Sequence, residues 1–477
     1  MNSARLLTIM GSASLLVAGC GGSASDAGED GSSGVALETA GETVGAESNE
    51  ETGSGDGDGD PDSGDGDGDG DPGDGDGDSG DGDGDGDGDG DSGDGDGDGD
   101  GDGDGDGDIC PGGNELAPGE KLIWIANSGE GTVSKINTET GVELGRYVVR
   151  SDSAGSPSRT SVNRAGDVAT ANRLGGVAKI YANADDCLDT NGTPGIQTSQ
   201  DGGDILPWGQ DECLAWFTDL PHSDNRPIAW TNGVLNEQTC EWEDVNVWTA
   251  WSDWSPGTAV VALLDGQTGE IIEQVPIPDL PQPWPNWHGF YGAAVDADNN
   301  VWLSQLQGQD PSPSWLVRVN YDDFSYDAFE VPEEGGYGMT VTSEGYVWLC
   351  GRSTRRFDPD SEEWTSVPLL DGSVHTGGCM GDGNGILYRG AYSQILGVDT
   401  ETMEVVRTLD VGQDGDDLIW GVAVDFDGFV WGVPRNGSRA YKVDPDNNMI
   451  VNTVTGLVSA YTYSDMTGFA LLNIEPG

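Results

Sequence analysis

Beyond about residue 117, apolar and polar positions alternate in runs of five or six residues, broken by Asp, Asn and Gly. That is the period of half-buried strands joined by tight turns. The runs recur. Gly292-Ala-Ala-Val-Asp-Ala-Asp-Asn-Asn-Val-Trp302, Gly338-Met-Thr-Val-Thr-Ser-Glu-Gly-Tyr-Val-Trp348 and Gly421-Val-Ala-Val-Asp-Phe-Asp-Gly-Phe-Val-Trp431 align without a gap. Gly378-Cys-Met-Gly-Asp-Gly-Asn-Gly-Ile-Leu-Tyr388 is a fourth copy, and Arg159-Thr-Ser-Val-Asn-Arg-Ala-Gly-Asp-Val-Ala169 a weaker fifth. Each predicts strand, turn, strand.

A third strand follows, seen seven times: Thr132-Val-Ser-Lys-Ile-Asn137, Val177-Ala-Lys-Ile-Tyr181, Val260-Val-Ala-Leu-Leu-Asp265, Leu316-Val-Arg-Val-Asn320, Thr354-Arg-Arg-Phe-Asp358, Ile395-Leu-Gly-Val-Asp399 and Ala440-Tyr-Lys-Val-Asp444. Turns such as Thr138-Glu-Thr-Gly141 then lead to an outer strand such as Val405-Val-Arg-Thr-Leu409. Four strands per unit, spaced 40 to 46 residues where nothing is inserted, predict an all-β fold, a seven-bladed β-propeller over 109–477. Residues 122–149 lack a leading strand and residues 461–471 read as a strand without followers. The C-terminal strand is therefore expected to join the N-terminal blade and close the ring, which leaves no open sheet edge.

The blade pattern G-x-x-V-D-x-x-G-x-V-W resembles that of the streptogramin (virginiamycin B) lyase-like and NHL-type propellers. The resemblance implies the fold more than the activity, because the pattern residues build blades and one fold hosts many functions. The lyases resembled use histidine and acidic groups around a magnesium ion. Only His222, His288 and His375 are present here, and no Glu stands beside His288 or His375 at a second-strand end. These two are the weak catalytic candidates; magnesium enters only with them. No G-x-S-x-G, H-E-x-x-H or P-loop occurs.

Charge divides the chain. Residues 21–108 carry 33 acidic and no basic side chains, and residues 109–477 carry 54 acidic and 18 basic ones. Neither part suits nucleic acid. Residues 53–108 are mostly alternating Asp and Gly, with no apolar group to offset the backbone entropy of folding. They are expected to form a disordered spacer, extended by self-repulsion. Ahead of it, Arg5, a short apolar stretch from Leu6 to Val17, and Val17-Ala-Gly-Cys20 resemble a bacterial lipoprotein signal peptide. That resemblance implies cleavage after 1–19, acylation of Cys20, a polar linker over 20–52, and a lipid anchor in the cell envelope. Gly21 in place of an inner-membrane-retaining Asp favours the outer membrane or cell surface.

Six further cysteines in an exported chain suggest disulfides. Cys350 ends the second strand of one unit and Cys379 lies in the first strand of the next, so they are expected to pair. Cys187 and Cys213 bracket one insert and form the second expected pair, which leaves Cys110 and Cys240. Within that insert, Asp189-Thr-Asn191-Gly192 resembles half a calcium loop, with Asp186, Asp189, Asn191 and Asp211 as candidate ligands to a structural calcium. Its twelfth position is Thr198 rather than Glu, and an Asx-rich turn is the competing reading.

In an antiparallel blade, first-strand starts and second-strand ends share one face. The starts supply Arg159, Arg226, Trp287, His288, Tyr337, His375, Trp420 and Tyr463-Ser464-Asp465. The second-strand ends supply Asn127, Asn172, Arg173, Trp251, Gln305, Arg352, Arg389 and Arg435. The expected ligand-binding face thus collects cations and aromatics in an acidic protein. The functional expectation is a monomeric envelope lipoprotein whose propeller binds a ligand or protein. The alternative is a magnesium-dependent lyase-like enzyme or related hydrolase at the same face.

Overall fold

The computed structural model describes residues 121–220, 224–236, 238–239, 241–252, 258–278, 280, 289–306, 314–332, 336–351, 353–367, 377–412 and 418–474. The spacer, the apolar N-terminus with Cys20, and Cys110, His222, Cys240, Trp287, His288, Arg352 and His375 lie outside them. The described domain is a β-propeller. Its strands form four-stranded antiparallel sheets, for example Pro157–Val162, Val168–Asn172, Val177–Ile180 and Leu214–Thr218 in that order. Four further sheets of this kind lie within 228–278, 290–331, 336–367 and 379–410. A seven-stranded sheet runs through Ile419–Val424, Val430–Pro434, Gly437–Asp444 and Met449–Ala460, then on through Leu122–Asn127, Thr132–Asn137 and Glu143–Val148. The first and last described strands therefore share one sheet, through the pair Asn127 and Ala460. First strands of consecutive sheets stand side by side. Among the described residues no helix is long and apolar enough to cross a membrane.

The repeat is legible as chemistry. Asp425 accepts the N–H groups of Asp427 and Phe429 at 3.1 and 3.0 Å and the Trp431 indole N–H at 2.9 Å. Asp296 does the same for Asp298, Asn300 and Trp302. One carboxylate thus closes the turn and fixes the Trp that fills the core. The eighth position of the pattern needs a left-handed backbone, with φ of 64° at Asn299, 81° at Gly345, 89° at Gly385 and 80° at Gly428, which explains Gly or Asn there. The first position needs no side chain at all, because a Cβ on Gly421 would lie 2.5 Å from the Thr462 carbonyl and one on Gly378 2.8 Å from that of Tyr463.

The third strands carry a second device. A cation two residues before the closing Asp, Asn or Tyr reaches a backbone carbonyl just beyond the third strand of the next unit: Lys135 to Ala182, Lys179 to Gly266 and Arg356 to Thr400 in the neighbouring sheet, and Lys442 to Thr138 within the seven-stranded sheet. Lys179 and Lys442 also meet the buried turn carboxylates Asp167 and Asp425 at 3.0 and 2.9 Å. Disulfides Cys187–Cys213 and Cys350–Cys379 form as the spacing predicts, the second tying adjacent sheets.

The C-terminal segment departs from expectation. Residues 461–466 are not a regular strand, although Tyr461 N–H donates to Ala126 O and Trp124 N–H to Met466 O. The segment's side chains tie it to the first strand of the next sheet: Ser464 Oγ accepts from Thr160 N–H and donates to Thr160 O, and Asp465 accepts from Val162 N–H. The chain then ends in a short helix, Phe469–Leu472. A small cavity of about 30 Å³, lined by Ser161, Trp230, Met339, Thr340, Asp465 and Leu471 among others, lies between this segment and the first strands.

Candidate functional site: an arginine and tyrosine cluster

Where first strands begin, the ladder slips by one residue between Phe290 and Gly292, between Gly336 and Gly338, and between Ile419 and Gly421. Each bulge re-aims the extra side chain, and those side chains are Tyr291, Tyr337 and Trp420. The C-terminal segment adds Tyr461 and Tyr463. The four tyrosines pack into one buried cluster, with Trp420 and Leu306 partly buried against it. Tyr291 and Tyr463 stack with centroids 5.7 Å apart. Tyr291 Oη donates to Tyr337 Oη at 3.0 Å and lies 3.1 Å from Tyr461 Oη, and the Tyr337 and Tyr461 hydroxyls share a hydrogen bond.

Guanidiniums surround these rings. Arg159 lies 3.9 Å over Tyr463, Arg173 4.0 Å over Tyr461, Arg226 4.9 Å over Tyr291 and Arg435 4.2 Å over Trp420. Arg159 donates to Tyr337 O, Arg173 to Ser156 Oγ, and Arg226 to Tyr291 Oη. Asp224, 3.3 Å from Arg226, is the carboxylate at the cluster. Arg159 and Arg226 are buried, whereas Arg173, Arg435 and Trp420 are half-buried and form the outer layer. Burial pushes Tyr291 and Tyr337 well above the ordinary phenol value and Tyr461 up to about 12. Burial acts the same way on Tyr463, but Arg159, Arg226 and Arg173 outweigh it and hold that phenol below its usual value.

Of the residues expected at this face, Arg159, Arg173, Arg226, Tyr337, Trp420, Arg435 and Tyr463 are brought together. Three others belong to the framework. Asn127 donates to Thr132 Oγ1 and Ser134 Oγ and accepts from Val458 N–H. Asn172 donates to Val149 O and Gly176 O. Arg389 bridges sheets by donating to Thr354 Oγ1 and Gly351 O, and burial pulls its value down to about 10. Trp251 is buried on Val247–Ser252. Tyr291 and Tyr461 were not among the expected residues. The available signal was position: Tyr291 precedes a pattern Gly just as Tyr337 and Trp420 do.

The insert is organised by backbone, with its acidic groups already engaged. Asp189 accepts Gly192 N–H, and Asn191 accepts Thr193 N–H and donates to Gln197. Asp211 accepts from Thr198 and Ser199, while Glu212 gathers the N–H groups of Thr190, Asn191 and Gln197. Asp186 is exposed in a short 3-10 turn, Ala184–Asp186. The Asx-turn reading describes this geometry, and among the described residues no three His, Cys, Asp or Glu side chains gather to hold a metal.

No protein-family model matches the chain, and no curated protein matches it. Among solved structures it is similar to a streptogramin B lyase, at 12% identity over 65% of this chain and 87% of that one, with a TM-score of 0.43. It is also similar to AztD from Citrobacter koseri, at 11% identity over 72% and 97%, TM-score 0.45. Hydrazine synthase of Kuenenia stuttgartiensis matches at 10% identity over 71% and 93%, TM-score 0.47.

Proposed function

We propose that this chain is a monomeric cell-envelope lipoprotein, anchored through Cys20 at the outer membrane or cell surface, whose seven-bladed propeller binds a ligand or protein partner. In this reading 461–466 complete the N-terminal blade and close the ring. The backbone bonds from Tyr461 and Trp124 support closure. The observation that carries the binding reading is the convergence of Arg159, Arg173, Arg226, Arg435, Trp420 and four tyrosines, drawn from separate sheets and the C-terminal segment, into one cluster with a half-buried outer layer. Aromatic and arginine side chains in such clusters dominate recognition energies. Turnover would have to run through His288 or His375, which lie outside the described residues.

The test is a screen of the protein against envelope glycans and peptides, repeated with a Trp420→Ala/Arg435→Ala variant. A bound component should be weakened tenfold or more in the variant. Binding unaffected by the change would place recognition elsewhere. A His288→Ala/His375→Ala variant should bind as the parent does.

A further inference from the structure

We infer that the ligand recognised at this cluster presents an oxyanion, a carboxylate or phosphate group on a compact body, to the edges of Arg159, Arg173, Arg226 and Arg435; this rests on the binding reading above. Hydrogen-bond accounting leads there. Arg159 Nε and Nη1, Arg226 Nε, Arg435 Nε and Trp420 Nε1 are all buried atoms with no hydrogen-bond partner among the described residues. Arginine and indole nitrogens only donate, and the unpaired Tyr463 Oη beside them offers too little acceptance for five donors. Folded proteins leave few buried polar groups unpaired, and five donors in one place call for an acceptor from outside the chain.

Charge points the same way. In a chain with a formal charge of −68, several arginines outside the cluster find carboxylates: Arg146 meets Glu130 and Glu143, Arg318 meets Asp327, and Arg407 meets Asp446, while Arg356 is held by the Thr400 carbonyl. Arg159, Arg173 and Arg435 have no ion pair among the described residues, although acidic side chains outnumber basic ones threefold in the domain. Arginine cannot neutralise itself by losing a proton. Water could satisfy the donors but would not offset buried positive charge, whereas an oxyanion does both. Stacking occupies the guanidinium faces and leaves their edges, the geometry that suits a carboxylate or phosphate. The acidic surroundings exclude extended polyanions by repulsion, so the anion is small. Arg173, Arg435 and Trp420, the half-buried layer, are the part of the cluster that solvent reaches.

The experiment titrates the full-length protein with phenylacetate, phenyl phosphate and the neutral phenylacetamide at equal ionic strength, by calorimetry. At least one anion should bind one to one and raise Tm, with the amide tenfold or more weaker. Which anion binds more tightly distinguishes carboxylate from phosphate. Arg173→Gln should lose tenfold or more in anion affinity, and Arg173→Lys, which keeps the charge but not the fork, should lose less. Amide binding equal to that of the anions would overturn the oxyanion while leaving the binding face intact. Failure of all three probes, or full anion affinity in Arg173→Gln, would also overturn it, and the glycan and peptide screen would still decide the broader reading.

Discussion

Lys442 and Asp425 show how a single pair serves both turn and ring. Both are buried, they meet at 2.9 Å, and Lys442 continues to the Thr138 carbonyl. Lys442→Met would leave the buried Asp425 side chain beside Trp431 without its cation, and removing one partner of a buried pair costs about 3–5 kcal/mol. Urea unfolding should show that loss, and the double variant Asp425→Asn/Lys442→Met should recover part of it because no buried charge remains. A single variant as stable as the parent would mean the pair is exposed in solution. Asp465 gives a pH dependence. Burial pushes its carboxyl from 3.8 up to about 6 against the backbone N–H groups of Val162, Gly468, Thr467 and Ala470, which oppose the rise. The folded state therefore holds its proton where the unfolded state has lost it. This contribution is fully present below 3.8 and is lost as pH rises through about 6, a change of at most about 3 kcal/mol. Unfolding measured from pH 4 to 7 should show a steeper fall in stability in the parent than in Asp465→Asn. Equal slopes would remove Asp465 as the cause.

At the scale of elements, turns and strands were readable because their causes are local. The Asp that caps a turn, the Gly or Asn at its left-handed position and the Trp six residues after the Asp all lie within one pattern of eleven residues. The third-strand cations were in plain view, but their partners stand in turns distant along the sequence, so Lys179 and Lys442 could not be told from surface lysines. Tyr291 sits on the same bulge as Tyr337 and Trp420, but the pattern reading places the start of its strand at Trp287 and His288, three to four residues too early. The C-terminal segment defeated the period reading for a different reason. A strand earns its label from backbone ladders, and here the backbone bonds to Leu122–Asn127 are few, while Ser464 and Asp465 side chains fix the segment to the next sheet. Ser464→Ala should consequently destabilise the domain by about 1–3 kcal/mol, because it strands the Thr160 N–H against the core. An ordinary surface serine would give a change within about 0.5 kcal/mol, and thermal melts separate the two outcomes.

At the scale of the whole molecule, the question is what 33 carboxylates in residues 21–108, without one basic side chain, contribute to a domain that folds by packing Trp and Tyr. Asp and Gly offer no apolar surface with which to pack against the sheets. Deleting half of 53–108 should accordingly leave the Tm of the propeller within about 1 °C of the parent. What should change is reach. On the proposed lipid anchor, a shorter run would bring the domain closer to the membrane and reduce its access to a surface-applied protease or antibody. Self-repulsion makes the run's dimensions respond to ions, and Ca²⁺, which takes six to eight oxygens, should contract it more than monovalent salt at matched ionic strength. Small-angle scattering of the protein lacking residues 1–20 measures both effects. A propeller that melts several degrees earlier without its Asp-Gly run would mean that these residues contact the fold, and equal contraction by both salts would mean that they only screen and do not bind Ca²⁺.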